Sequence, residues 1–151
     1  MDSIFKNTAL WAAVISWTTA QLIKFFTTLF KTGKIDMRAL TMPGGMPSGH
    51  AACMMALSVS VGLQAGWDSL LFAVTICVSL IIMYDAAGVR RAAGRHAAAL
   101  NKIIDRLTSG SAQERKKLTP VELREILGHT PIQVFAGAAL GIAVACLLYY
   151  K

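Results

Sequence analysis

Between Pro131 and Tyr150 the chain reads PIQVFAGAALGIAVACLLYY, without one charged side chain. A helix needs about 20 mainly apolar residues to cross a bilayer. Inside hydrocarbon each backbone N–H and C=O must be satisfied within the structure, so a run of this kind is read as a helix. Three other stretches come close to the same length: Thr8–Phe30 (TALWAAVISWTTAQLIKFFTTLF), His50–Trp67, and Ser69–Tyr84 (SLLFAVTICVSLIIMY). Trp67–Asp68 alone separates the second from the third, which predicts a tight helical hairpin. The expected fold is an all-α integral membrane bundle of about four transmembrane helices, one domain over 1–151 with a cytoplasmic helical loop. The composition agrees, since 55% of the residues are hydrophobic, above the ~45–50% of a soluble domain. The first apolar run is too long for a signal-peptide core, and no cleavable leader is expected.

Two polar segments remain, 31–49 and 85–130. In the second, AGVRRAAGRHAAALNKIIDRL has the spacing of an amphipathic helix that lies along the bilayer surface or continues the third span. SGSAQERKK reads as a solvated linker. Thr119, Pro120 and Glu122 form a capping box for a short helix over 120–127. Four spans put both segments on one side, and both are rich in Lys and Arg, which predicts a cytoplasmic location. The net charge of +7 fits anionic headgroups better than nucleic acid, because no basic patch interleaved with aromatics stands clear of the spans. Cys53, Cys77 and Cys146 lie in apolar runs without a C-x-x-C pattern and are expected to be small buried hydrophobes. Gly137 and Gly141 form a small-x-x-x-small face that permits close helix contact.

The chemistry concentrates at the mouths of the spans. GGMPSGHAA enters the second span through a Gly/Pro turn that ends on His50, and GHTPIQ enters the fourth through one that carries His129. The topology puts both histidines on one face. Arg90 and Arg91 follow the third span on that face, and Lys24, Lys31 and Arg38 flank the exit of the first. Two imidazoles with several cations at one membrane surface suit a phosphate ester carrying a lipid tail. Phosphoryl transfer to an imidazole needs one neutral histidine as nucleophile and a second, protonated, to protonate the leaving oxygen. Cations and the N–H groups of a helix N-terminus hold the phosphoryl oxygens. The PSGH turn is expected to aim free N–H groups at that anion.

PSGH followed by GHTPIQVFAGAALG resembles the type 2 phosphatidic acid phosphatase superfamily, which includes vanadium haloperoxidases. GGMPSGHAA, YDAAGVRRAAG and LGHTPIQVFAGAALGI together are similar to its divergent branch of small bacterial and plastid membrane proteins. The resemblance implies a nucleophile at His129, a general acid at His50 and phosphate contacts from Ser48 and Gly49. It also calls for a lysine and an arginine. Lys31 and Arg38 have the superfamily's spacing, with Ala39 in place of its proline, and Lys24 is the alternative lysine. Arg90 or Arg91 supplies the arginine of the third motif if 85–130 is an insertion within it. The position of the orienting Asp is Gln133, with Asp85 a possible substitute from the third span. The implied activity is metal-independent and cofactor-free hydrolysis of a lipid phosphate monoester or pyrophosphate through a phosphohistidine. Phosphatidylglycerol phosphate, phosphatidic acid and undecaprenyl pyrophosphate are the substrate types. The implied location is a bacterial inner membrane with the site facing the cytoplasm, and a homodimer stays open. The other reading is a non-catalytic protein that binds or translocates anionic phospholipids.

Overall fold

The computed structural model describes residues 2–33, 45–107 and 128–151. The capping box at 119–122, the helix expected over 120–127, the linker before it and Arg38 lie outside these residues. Six helices are described: α1 (Asp2–Phe5), α2 (Thr8–Thr32), α3 (Gly49–Ala65), α4 (Leu70–Ala87), α5 (Val89–Leu107) and α6 (Pro131–Tyr149). The described residues contain no β-strand. The short α1 was not expected; Trp11 Nε1 of α2 donates to the carbonyl of Phe5, its last residue, at 3.0 Å.

Helices α2, α3, α4 and α6 each start where the sequence supplies a cap. Asn7 accepts the Leu10 N–H, Ser69 the Phe72 N–H and Thr130 the Gln133 N–H, each satisfying one of the helix's orphan donors. Helix α2 ends on Gly33 at φ 64°, a left-handed position that glycine takes without a Cβ clash. The α3–α4 hairpin turns at Gly66, and the Trp67 ring packs edge-on against Phe72 at 5.1 Å. After α4 only Gly88 intervenes. Its N–H reaches Tyr84 and its carbonyl receives the Ala92 N–H, so α5 continues directly from α4.

Three helical stretches are long and apolar enough to cross a membrane: Thr8–Phe30, Leu70–Leu107 and Pro131–Tyr149. With 17 residues α3 is about 25 Å long, shorter than the hydrocarbon core. It sits at the centre, packed against α2, α4 and α6. Its buried residues include Gly49, Ala51, Ala52, Ala56, Ser58, Ser60 and Gly62, while Leu71, Ile81, Phe135 and Leu147 lie outside and exposed. That distribution suits lipid as solvent. Bulky apolar side chains gain little by leaving hydrocarbon, whereas small ones let backbones approach.

The α3–α6 seam follows this rule. A Cβ on Gly137 would collide with the Ser48 carbonyl oxygen, and one on Gly141 with that of Ala52. Ser58 and Ser79 share a buried hydroxyl contact of 2.7 Å that ties α3 to α4. The cysteines depart from expectation: Cys77 is exposed, and Cys53 and Cys146 are half-buried. Helix α4 touches the bundle along one side only, so its cysteine faces outward.

Candidate active site

The middle of α2 up to Lys24, the start of α3, the end of α4 and the start of α6 meet at one junction. Two main-chain hydrogen bonds hold this junction. The Ser48 N–H donates to the Gln133 carbonyl at 2.9 Å, and the His129 N–H to the Ala86 carbonyl at 3.1 Å. The turn before each histidine is thereby fastened to a neighbouring helix.

Ser48 is fully buried, and its hydroxyl caps α3 by accepting the Ala51 N–H at 3.4 Å. Its own N–H is spent on α6, so of the amides expected to face the anion those of Gly49 and His50 remain. Within the first turn of α3, the Ala51 N–H is capped and the Ala52 N–H bonds the Ser48 carbonyl. Helix geometry leaves the N–H groups of Gly49 and His50 without intrahelical partners. Gly49 lies against Trp17 and Gln21 of α2, where a Cβ would come within 3.3 Å of the indole.

His129 is buried. Its Nδ1 lies 3.3 Å from Gln133 Oε1, and that oxygen also accepts the Thr130 N–H at 3.0 Å. A backbone N–H can only donate, so the Gln133 atom facing Thr130 is the oxygen. The same oxygen faces Nδ1 and can only accept, so this contact is made by the tautomer with its proton on Nδ1 and its lone pair on Nε2. Burial lowers the pKa of His129 below the ordinary 6.5, because desolvation disfavours the charged ring. The Gln133 hydrogen bond opposes this, the charges of Lys24 and His50 add to it, and a hydrogen bond with the Gly45 backbone opposes it.

His50 is exposed and lies within electrostatic range of Arg90, Lys24 and Asp85. Lys24 is buried, 6% exposed, with its aliphatic stem beside Gly45, where an added Cβ would lie 3.5 Å from it. Its charge acts on both histidines. Arg90 Nε pairs with Asp85 Oδ2 at 2.8 Å, and no described carboxylate is paired with Lys24. The structure therefore brings together His50, His129, Gln133, Lys24, Ser48, Gly49, Asp85 and Arg90. Asp85 faces Arg90 and the His50 side, while Gln133 is the residue on the His129 ring. The Arg91 backbone packs against Gly128. Lys31 stands in the last turn of α2, past Lys24.

Gln21, Gly45 and Thr130 join this junction without having been assigned to it from sequence. Gln21 precedes Lys24 by one helical step on the same face, and its Oε1 is buried without a partner among the described residues. An amide beside a lysine inside an apolar run was the signal available. The described residues contain no group of three or more His, Cys, Asp or Glu placed to hold a metal ion.

Fold and junction together define an all-α integral membrane protein with paired histidines at one end of its bundle. Residues 5–144 match the Divergent PAP2 family, and the chain belongs to it. That family is a branch of a superfamily of membrane hydrolases acting on lipid substrates. The chain is 38% identical over 155 residues to "Uncharacterized membrane protein YuiD" of Bacillus subtilis (strain 168), with 97% of each chain covered. No solved structure gives a significant match.

Proposed function

We propose that the protein hydrolyses a lipid phosphate monoester or pyrophosphate through a phosphohistidine on His129, with the site on the cytoplasmic face of a bacterial inner membrane. The observation that carries this reading is Lys24, a buried cation with no described carboxylate partner whose charge reaches both histidines. A buried charge is costly unless paired, and a bound phosphate supplies the missing anion.

The lone pair of His129 Nε2 attacks phosphorus as the ester P–O bond breaks. Attack requires the ring to give up its Gly45 contact. Protonated His50 donates its proton to the leaving alkoxide, and the phosphate's negative charge favours that protonated state beforehand. Lys24, Arg90 and the N–H groups of Gly49 and His50 hold the phosphoryl oxygens. Water then attacks the phosphohistidine, giving its proton to His50, and inorganic phosphate leaves.

The test is phosphate release by purified protein from phosphatidylglycerol phosphate, phosphatidic acid and undecaprenyl pyrophosphate in mixed micelles. Lys24→Met is expected to lower kcat/KM by roughly 10²–10³-fold, the loss typical of one preorganised transition-state donor. Release from none of the three lipids by the wild-type protein refutes hydrolysis. It favours the second reading, binding or translocation of anionic phospholipids, for which Gln133 speaks, being neutral at the resembled family's Asp position.

The same assay has a pH signature. His129 must be neutral to attack, so rate is lost as pH falls through its pKa in the fold. Because that pKa is lowered, the acid limb of kcat/KM lies below the ordinary imidazole value. Gln133→Glu keeps an acceptor for both Thr130 and Nδ1 and adds a negative charge beside the developing imidazolium. It is expected to raise turnover about tenfold, ~1.4 kcal/mol of barrier, and to move the acid limb upward. An unmoved limb removes Gln133 from the role of orienting the ring.

A further inference from the structure

Helices α4 and α6 both pack on α3 but barely on each other. Between them runs a groove of about 850 Å³, within the ~300–1,000 Å³ of small-molecule sites. Met55 of α3 lines it, with Ile81 and Tyr84 on α4 and Val134, Phe135 and Ile142 on α6. Its lining carries no charged side chain. One end is bounded by Ala87 and Pro131. Ala87 follows Ala86, whose carbonyl holds the His129 N–H, and Pro131 opens the helix that His129 precedes. The groove thus ends beside the main chain that holds His129 and extends along α6 to Ile142, about 16 Å at 1.5 Å per residue.

We propose that this groove seats a hydrocarbon chain of the lipid whose phosphate lies at His129. The inference rests on the proposed function for the identity of the headgroup. The argument is complementarity along one line. The slot is apolar throughout, and the junction it meets carries Lys24, Arg90 and two imidazoles, a pattern that matches an anionic amphiphile. A helix from a second copy is about 10–12 Å across with its side chains and would bring no anion to the cations. In a bilayer the chain gains little by exchanging lipid for protein. The groove therefore contributes position: it sets where the headgroup stops relative to His129.

The experiment uses the intact protein in vesicles with a phosphatidic acid that carries a photoreactive diazirine near the end of one oleoyl-length chain. Crosslinks are expected to concentrate on Ile142, at the far end of the groove, and to fall off toward Phe135 beside the junction. Ala139 lines the same groove and is exposed, so Ala139→Phe fills it with little disturbance and should cut these crosslinks at least tenfold. Crosslinks spread evenly over the lipid-facing surface overturn the proposal. So does their concentration on Ile23, Thr28 and Leu140, which line a separate cleft of about 490 Å³ between α2 and α6. Equal labelling by the corresponding diacylglycerol, which has no phosphate, also overturns it. Groove crosslinks without phosphate release from any lipid leave this proposal standing and sink hydrolysis. Phosphate release with crosslinks elsewhere does the reverse.

Discussion

His129→Ala is expected to reduce single-turnover phosphate release by at least about a thousandfold, as removal of a nucleophile does in enzymes whose catalytic residues act as a unit. The fold should survive. The Ala86 carbonyl receives the backbone N–H of residue 129, and alanine keeps that group. Gln133 Oε1 keeps its bond from the Thr130 N–H, so the capping box at the start of α6 also persists. What disappears is the ring and its contact with Gln133. His50→Ala is expected to cost roughly 10²–10⁴-fold, the range of a general acid–base group. The double variant should be little worse than His129→Ala alone, because both residues serve one transfer. Retention of more than a tenth of the wild-type rate by His129→Ala would displace it as the nucleophile.

Gly137→Val carries the largest expected loss of stability. A Cβ on Gly137 meets the Ser48 carbonyl oxygen and comes within 3.0 Å of the Ala51 Cβ. Neither neighbour is the tip of a flexible side chain. Both belong to the first turn of α3 or its cap, so relief requires the two helices to part. The Ser48 N–H to Gln133 carbonyl bond spans the same seam and lengthens as they do. Overpacking of a well-packed core costs about 1–3 kcal/mol, and the main-chain collision puts this case at or above the top of that range. Ala143→Val, at an exposed position of the same helix, should shift stability by no more than about 0.5 kcal/mol. The comparison is read from unfolding in a graded detergent titration. Equal shifts for the two variants would contradict the close α3–α6 approach.

The spans were legible in the sequence because lipid demands long uncharged runs. Thr8–Phe30 and Pro131–Tyr150 were foreseen to within a few residues of α2 and α6. The juxtaposition of His50 with His129 was legible too, since Gly, Pro and His recur at two span mouths that the topology puts on one side. The fastening of these turns was not. Ser48 to Gln133 and His129 to Ala86 are backbone bonds between helices, and residue type leaves no mark of them. Asp85 was considered for His129, but pairs with Arg90 five residues on, where α4 runs into α5 across Gly88. The outward-facing Cys77 shows the same limit from another side: hydropathy marks a residue as fit for hydrocarbon and does not say whether that hydrocarbon is protein or lipid.

The two main-chain hydrogen bonds that fasten the histidine turns also bear on how such a protein changes over generations. Both rings are positioned by main chain, and the amide of residue 48 or 129 is donated whatever side chain stands there, proline excepted. Drift at 133 can therefore replace one acceptor by another, charged or neutral, without moving either imidazole. The scaffold outlasts a given chemistry, so a lineage can lose, weaken or regain a reaction at this junction by single side-chain steps while inheriting the same geometry.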